Sequence, residues 1–173
     1  NNVTLIMDSG ESDSHRELSE MLHSIAGTSD KINIQNSNRS SEAPRFVIKH
    51  KDKENGIEFK GVPGGHEFTS LILAILNSDM KGKVPAHGLP ARIRRLKGTL
   101  KLQTFISLTC ENCPDVVQAL NQMAILHPEF HHTMVDGAHA QSDVERLGIQ
   151  GVPSIVVNDK IIHSGRIDFL DLL

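Results

Sequence analysis

The sequence predicts an α/β protein, and three observations carry that prediction. Short runs such as VTLIM at 3–7, RFVIK at 45–49 and SIVV at 154–157 have the length and side-chain mix of strands. Between them Leu18, Met21, Leu22 and Ile25, and later Val116, Val117, Leu120, Met123 and Ala124, recur at helical spacing. The order of these signals is nearly the same in the two halves of the chain.

In the first half, 3–7 is a strand and DSGESDS supplies turn formers and N-cap candidates. A helix follows over 15–25, with Gly27 as its stop. A short strand is expected at 32–35, a polar loop (NSNRSSEA) at 36–43, and a strand at 45–49 after Pro44. A hairpin turn in DKENG then leads to a returning strand at 57–60. A turn at 61–65 containing Pro63 precedes an apolar helix over 68–76, which completes the order β-α-β-β-β-α. Residues 77–90, with prolines, glycines and no periodicity, read as a connector. Arg92, Arg94, Arg95 and Lys97 then read as the solvated face of a short helix.

The second half begins with a strand at 103–108 and a helix after the CENC motif. A strand at 131–135, a turn at 136–139 and a helix at 141–147 come next, then two strands joined at Asn158-Asp159 and a last helix from 167. The order β-α-β-α-β-β-α is that of the thioredoxin fold. VTLIMDSG lies against TFISLTCE and PRFVI against PSIVV, so the chain is expected to be two tandem thioredoxin-like folds fused into one unit. Residues 1–90 would form a degenerate copy without cysteines and residues 91–173 the copy with the CxxC.

Composition excludes several functions. With 173 residues, 38% of them hydrophobic, the chain can bury a sizeable core, and a net charge of -3 argues against nucleic-acid steering. No tryptophan or tyrosine offers a base-stacking platform, and no apolar run has the length of a bilayer span. No signal peptide stands at the start, and an opening on Asn1 with an end inside a helix-like pattern at Leu173 reads as part of a longer protein.

Cys110 and Cys113 stand where a strand turns into a helix. The exposed N–H groups and positive dipole end of that helix favour a thiolate. Pro114 fits an early helical position. A loop closed by cysteines three positions apart is too small to constrain an unfolded chain, so redox cycling in a reducing, cytoplasmic compartment is the expected use. Structural zinc and inert cysteines are the lesser alternatives. Zinc needs four ligands, no second CxxC exists, and the adjacent His131 and His132 would point to opposite faces of a strand.

In the redox reading Cys110 is the nucleophile and Cys113 resolves the mixed disulfide. Glu111 opposes ionisation of Cys110, which places its pKa toward the upper part of the range of roughly 3.5–7.5 seen in CxxC sites and favours a reductant over an oxidant. Thr109, Glu111, Asn112, Val152 and Pro153 are the expected partner-binding residues, with Val152-Pro153 as a cis bond beside the cysteines. Glu67 has two readings: a first-turn carboxylate complementing the helix dipole, or a proton relay for the thiols. Asp136 reads as a turn former and His66 as a surface residue.

GGHEFTSLILAIL, SLTCENCPDVVQALNQMA and GVPSIVVN, in that order, resemble the N-terminal domain of the flavoprotein subunit of bacterial alkyl hydroperoxide reductase, over essentially the whole chain. The resemblance implies two fused thioredoxin-like folds with one active dithiol. It also implies a path of electrons from NADH through FAD and a flavin-adjacent dithiol to Cys110 and Cys113, and from there to a partner peroxiredoxin. The glutamate of HEF, here Glu67, takes a supporting role at the dithiol. FAD and NADH would belong to a region absent from this chain, which has no GxGxxG after a strand and so is expected to bind neither. Many relatives carry histidine where this chain has Glu111. A stand-alone glutaredoxin-like protein or protein disulfide oxidoreductase, and a docking module regulated by a reversible disulfide, are the alternatives.

Overall fold

In the computed structural model, which describes residues 2–79, 82 and 88–172, each expected strand is present and the element order of both halves is as read from the sequence. The first half runs β1 (Val3–Ser9), α1 (Asp13–Ala26), β2 (Ile32–Ser40), β3 (Arg45–His50), β4 (Lys53–Lys60) and α2 (Phe68–Ser78). The second runs α3 (Leu89–Arg94), β5 (Leu100–Ile106), α4 (Cys113–Leu126), β6 (Phe130–Asp136), α5 (Gln141–Leu147), β7 (Ser154–Val157), β8 (Lys160–Ser164) and α6 (Phe169–Leu172).

The strand expected at 103–108 runs instead from Leu100 to Ile106, because the Cys110 N–H bonds back to the Ser107 carbonyl and turns the chain out of the ladder, and three further boundaries differ for physical reasons. β2 continues to Ser40 through the stretch expected as loop, because it is a sheet-edge strand paired only with β1 (Met7 opposite Asn36, Ser9 opposite Ser40) and its polar side chains face water. The hairpin turn falls at Lys51, whose φ is 55°, so β4 already contains most of DKENG. Within β4, Gly56 has φ 82°, and a Cβ there would stand 2.3 Å from the Phe130 carbonyl oxygen, so no larger residue fits. The expected connector is shorter than 77–90, since α2 ends at Ser78 and α3 begins at Leu89. Most of what lies between falls outside the described residues.

One eight-stranded sheet runs through both halves in the order β2-β1-β3-β4-β6-β5-β7-β8. Each half has the same pattern, a parallel pair (β1 with β2, β5 with β6) followed by two antiparallel pairings. The halves join where β4 pairs in parallel with β6, Ile57 opposite His132 and Phe59 opposite Met134.

A single apolar core lies on one face of this sheet. It takes Leu18 and Leu22 from α1, Phe46 and Phe59 from the sheet, Leu71 from α2 and Val116, Val117 and Leu120 from α4, all fully buried. Phe46 and Phe59 stack with centroids 5.0 Å apart. Burying each such side chain contributes roughly 1.5–3 kcal/mol, so the core shared by the two halves makes them one folding unit.

The other face differs between halves. In the second, α5 covers Phe105, Val135 and Val156. In the first, β2 passes to β3 through residues 41–44 with no helix, and polar side chains occupy the open face. Arg45 donates to both oxygens of Asp8 (3.2 and 3.1 Å) and to Glu58, while Thr133 donates to Glu58 at 3.1 Å.

His132 and Asn121 pin α4 to the seam. With Nδ1 protonated, His132 donates to Asn121 Oδ1 (2.7 Å) and accepts from the Thr104 hydroxyl (2.8 Å), and all three residues are buried. Burial pushes the imidazole down to about 3. The folded protein therefore holds His132 neutral, whereas the unfolded chain takes up its proton near pH 6.5. The resulting stability is present above about 6.5 and is lost as pH falls toward 3, by up to about 1.4 kcal/mol per pH unit. Denaturant titrations between pH 7.5 and 4.5 are expected to show this loss in the parent and a shallower slope in His132→Gln; identical slopes would contradict it.

Candidate active site

β5 ends at Ile106 and α4 begins at Cys113, so the motif occupies a loop of residues 107–112. Local polar groups shape it: the Cys110 N–H donates to the Ser107 carbonyl (3.0 Å), and the Ser107 and Thr109 hydroxyls are 3.1 Å apart. Asn112 occupies the N-cap position of α4 without a side-chain cap bond, and Pro114 stands at the first helical positions. The start of α4 is thus left free of capping oxygen beside the sulfurs, the setting that lowers a thiol pKa.

Cys110 and Cys113 form a disulfide with Cα atoms 5.5 Å apart. Cys113 is fully buried in the core, whereas Cys110 is partly exposed. The Val152-Pro153 bond is cis, as expected, and the Val152 carbonyl oxygen lies 3.8 Å from Cys110 Sγ. Thr109, Glu111 and Asn112 are exposed around the dithiol, and Val152 is exposed on its other side.

The first half reaches this loop through residues 65–67. The His66 N–H donates to the Leu108 carbonyl at 3.1 Å. Gly65 has φ 54°, and a Cβ there would stand 2.7 Å from the same carbonyl oxygen, so the contact requires glycine. Glu67 follows, wholly buried, with neither carboxylate oxygen in a hydrogen bond of good geometry. It stands at the N-cap position of α2, where its side chain makes no cap bond. Burial pushes its carboxyl up to about 7, against a smaller lowering by the nearby Ser70 hydroxyl, which itself accepts from Gln118 of α4 at 3.2 Å.

The remaining candidates separate cleanly. His131 is exposed and His132 buried on opposite faces of β6, and both ring nitrogens of His132 are engaged with protein partners. Asp136 accepts from the Ala138 N–H at 3.0 Å, as a turn former does. His66, Arg92, Arg94, Arg95 and Lys97 are exposed. Sequence reasoning missed Ser107 and Leu108, which hold Cys110 and the Glu67 turn; a hydroxyl preceding TCENC was the available signal for the first.

The equivalent place in the first half is different in length. Met7 pairs with Phe46 and Thr104 with Ile155, each partner two residues after the equivalent prolines Pro44 and Pro153. From there to the helix start, the first half has residues 8–12 and the second 105–112, five against eight, so the cysteine-bearing loop has no counterpart. His15 fills the space instead, its Nε2 2.9 Å from the Ser41 carbonyl and its Nδ1 2.6 Å from the Ser12 hydroxyl. Pro44 is trans.

The fold and the dithiol define a thioredoxin-fold domain of tandem type with a CxxC disulfide. The family model described as "Thioredoxin domain" matches residues 100–170, the half with the cysteines. The chain is 40% identical over 164 residues to the alkyl hydroperoxide reductase F subunit of Pseudomonas aeruginosa, covering 94% of this chain and 31% of that protein. It is 35% identical over 173 residues to a Bacillus subtilis protein named NADH dehydrogenase, covering 100% of this chain and 34% of that one. The crystal structure of the NTD_N/C domain of alkylhydroperoxide reductase AhpF from Enterococcus faecalis superposes with a TM-score of 0.90 at 28% identity, over 99% of this chain and 88% of that one. The chain is therefore similar over nearly its whole length to the N-terminal domain of an alkyl hydroperoxide reductase F subunit, and it spans about a third of the length of the curated relatives it matches. No helix among the described residues is long and apolar enough to cross a membrane.

Glu111 is exposed beside Cys110, so its repulsion of a thiolate is screened by water and salt. Glu111→Gln is expected to lower the Cys110 pKa of the reduced protein by roughly half a unit, read from ultraviolet thiolate absorbance; a rise or no change would show that the carboxylate does not oppose ionisation.

Proposed function

We propose that this chain is the dithiol carrier of a peroxiredoxin-reducing system, with residues 1–90 and 91–173 as its two units. It takes two electrons from a flavin- and NADH-dependent region of the full-length protein and delivers them to the disulfide of a partner peroxiredoxin in the cytoplasm. The observation that carries the reading is the pair of sulfurs at the start of α4, one open and one buried, with the Val152 carbonyl beside the open one.

Neither the flavin nor the nicotinamide is placed on the described residues of this chain. The turn that would have to receive a pyrophosphate, between β1 and α1, is closed by His15, whose ring stands 2.0 Å from where a Cβ on Gly10 would lie. Both groups are therefore assigned to the part of the relatives that this chain does not span.

In the reduced state the Cys110 thiolate attacks one sulfur of the partner disulfide. That S–S bond breaks, the leaving thiolate takes a proton, and a mixed disulfide forms through Cys110. Cys113, on losing its proton, attacks Cys110 Sγ. The second partner thiolate leaves, and the Cys110–Cys113 disulfide is the product. Two electrons pass from chain to partner. Cys113 is buried, so its proton needs an acceptor inside the protein, and Glu67, with a pKa raised to about 7, can take and return one at neutral pH. Val152 offers backbone to pair with an extended partner segment, and Thr109, Glu111 and Asn112 form the rim it crosses.

Two experiments test this. Cys113→Ser is expected to hold a mixed disulfide through Cys110 with the partner, identified by mass spectrometry; trapping only by Cys110→Ser would reverse the assignment. Glu67→Gln is expected to slow disulfide exchange roughly a hundredfold, the lower end of the range for a lost general base, and to flatten its pH dependence around 7. Because the raised carboxyl makes folding less favourable as pH climbs from about 4.5 through 7, the same variant is expected to be more stable than the parent at pH 8. Unchanged kinetics would remove Glu67 from the mechanism.

A further inference from the structure

A cavity of about 500 Å³ adjoins the start of the cysteine loop, between the end of β6, α5 and the loop before Pro153. Two of its lining residues are the ones that flank Cys110: Ser107, whose carbonyl accepts the Cys110 N–H at 3.0 Å, and Val152, whose carbonyl oxygen is 3.8 Å from Sγ. Its apolar walls come from Phe105, Ile106, Val144 and Ile149. Its charged lining is Asp136 and Glu145, with no lysine or arginine.

The two carboxylates differ in setting. Asp136 is only 4% exposed and keeps one oxygen on the Ala138 N–H. Glu145 is exposed on α5, and no ion-pair partner for it exists among the described residues. The nearby cations are committed elsewhere, Lys60 to Asp143 (3.9 Å) and Arg146 to Asp143 (3.0 Å) and Asp159 (3.3 Å). Glu111 and Asp115, both exposed, add negative charge beyond the sulfurs.

We propose that this cavity receives a lysine or arginine side chain of the partner segment that carries the disulfide, within a few residues of the cysteine under attack. The proposal rests on the disulfide-reducing role assigned above and names the chemistry of its partner. A long cationic side chain matches the lining at both ends: its methylene stem covers the aliphatic and aromatic walls and its head meets Asp136 and Glu145. A purely apolar side chain would strip water from Asp136 without replacing it, and an acidic one would meet two like charges. The cavity borders Val152, so a segment paired with that backbone presents alternate side chains toward it.

The test uses the pre-reduced 173-residue chain and three cystine peptides that differ at a single position two residues from one cysteine, as Lys, Gln or Glu. Single-turnover reduction of the Lys peptide is expected to be about tenfold faster than that of the Glu peptide at low salt, with the gap closing as salt is raised. In Glu145→Gln the Lys-to-Glu ratio is expected to shrink, and in Glu145→Lys to reverse. Equal rates for the three peptides at low salt, or a ratio that Glu145→Lys leaves unchanged, would overturn the proposal. Bis(2-hydroxyethyl) disulfide, which carries no charge, separates the two levels. If the unmodified chain reduces it but does not discriminate among the peptides, the cation pocket alone fails; if it does not reduce it, the disulfide-exchange reading fails as well.

Discussion

The parallel pairing of β4 with β6 is the contact on which the rest of the molecule depends. It makes two short sheets into one of eight strands and lets a single core form beneath α1, α2 and α4. Only in that arrangement does the turn after β4 lie against the loop after β5, so that residues 65–67 of the cysteine-free half hydrogen-bond to Leu108 beside the sulfurs. The chemistry inherits this geometry. A buried carboxyl with a near-neutral pKa stands in the turn that hydrogen-bonds to the cysteine loop because two copies of one fold share a seam.

The seam also explains the polar residues that a core of this kind would otherwise exclude. His132 lies at the pairing of β4 and β6 and is acceptable there because Thr104 and Asn121 satisfy both ring nitrogens. On the opposite face the first half has no helix between β2 and β3, and Asp8, Arg45 and Glu58 neutralise one another over a surface that α5 covers in the second half. The missing helix and the charged strand faces are two aspects of one difference between the copies.

The duplicated fold was legible in the sequence because strand alternation, helical spacing and the order of turn signals are local properties. The extent of β2 was not, since Asn36–Ser40 look like loop until β1 is known to pair with them, and edge strands tolerate polar residues. The place of CENC between a strand and a helix, and of GVP before the strand SIVV, could be read from the sequence. The state of Glu67 could not: a glutamate before an apolar helix is ordinarily solvated, and its burial follows from packing between α2 and α4 that no single segment reveals. Leu108 escaped notice because its contribution is a backbone carbonyl, which carries no sequence signature.

The five-residue passage from Met7 to α1, against the eight residues leading to α4, has a consequence for retrofitting the first half. Replacing Ser9 and Ser12 with cysteine would not recreate a second redox centre, because the missing three residues are the ones that carry the chain out from the sheet before the helix begins. His15 occupies the vacated space and ties α1 to the Ser41 carbonyl. Recovering function there would take an insertion together with the loss of that histidine. The cysteine-free copy thus differs from the other in chain length as well as in side chains.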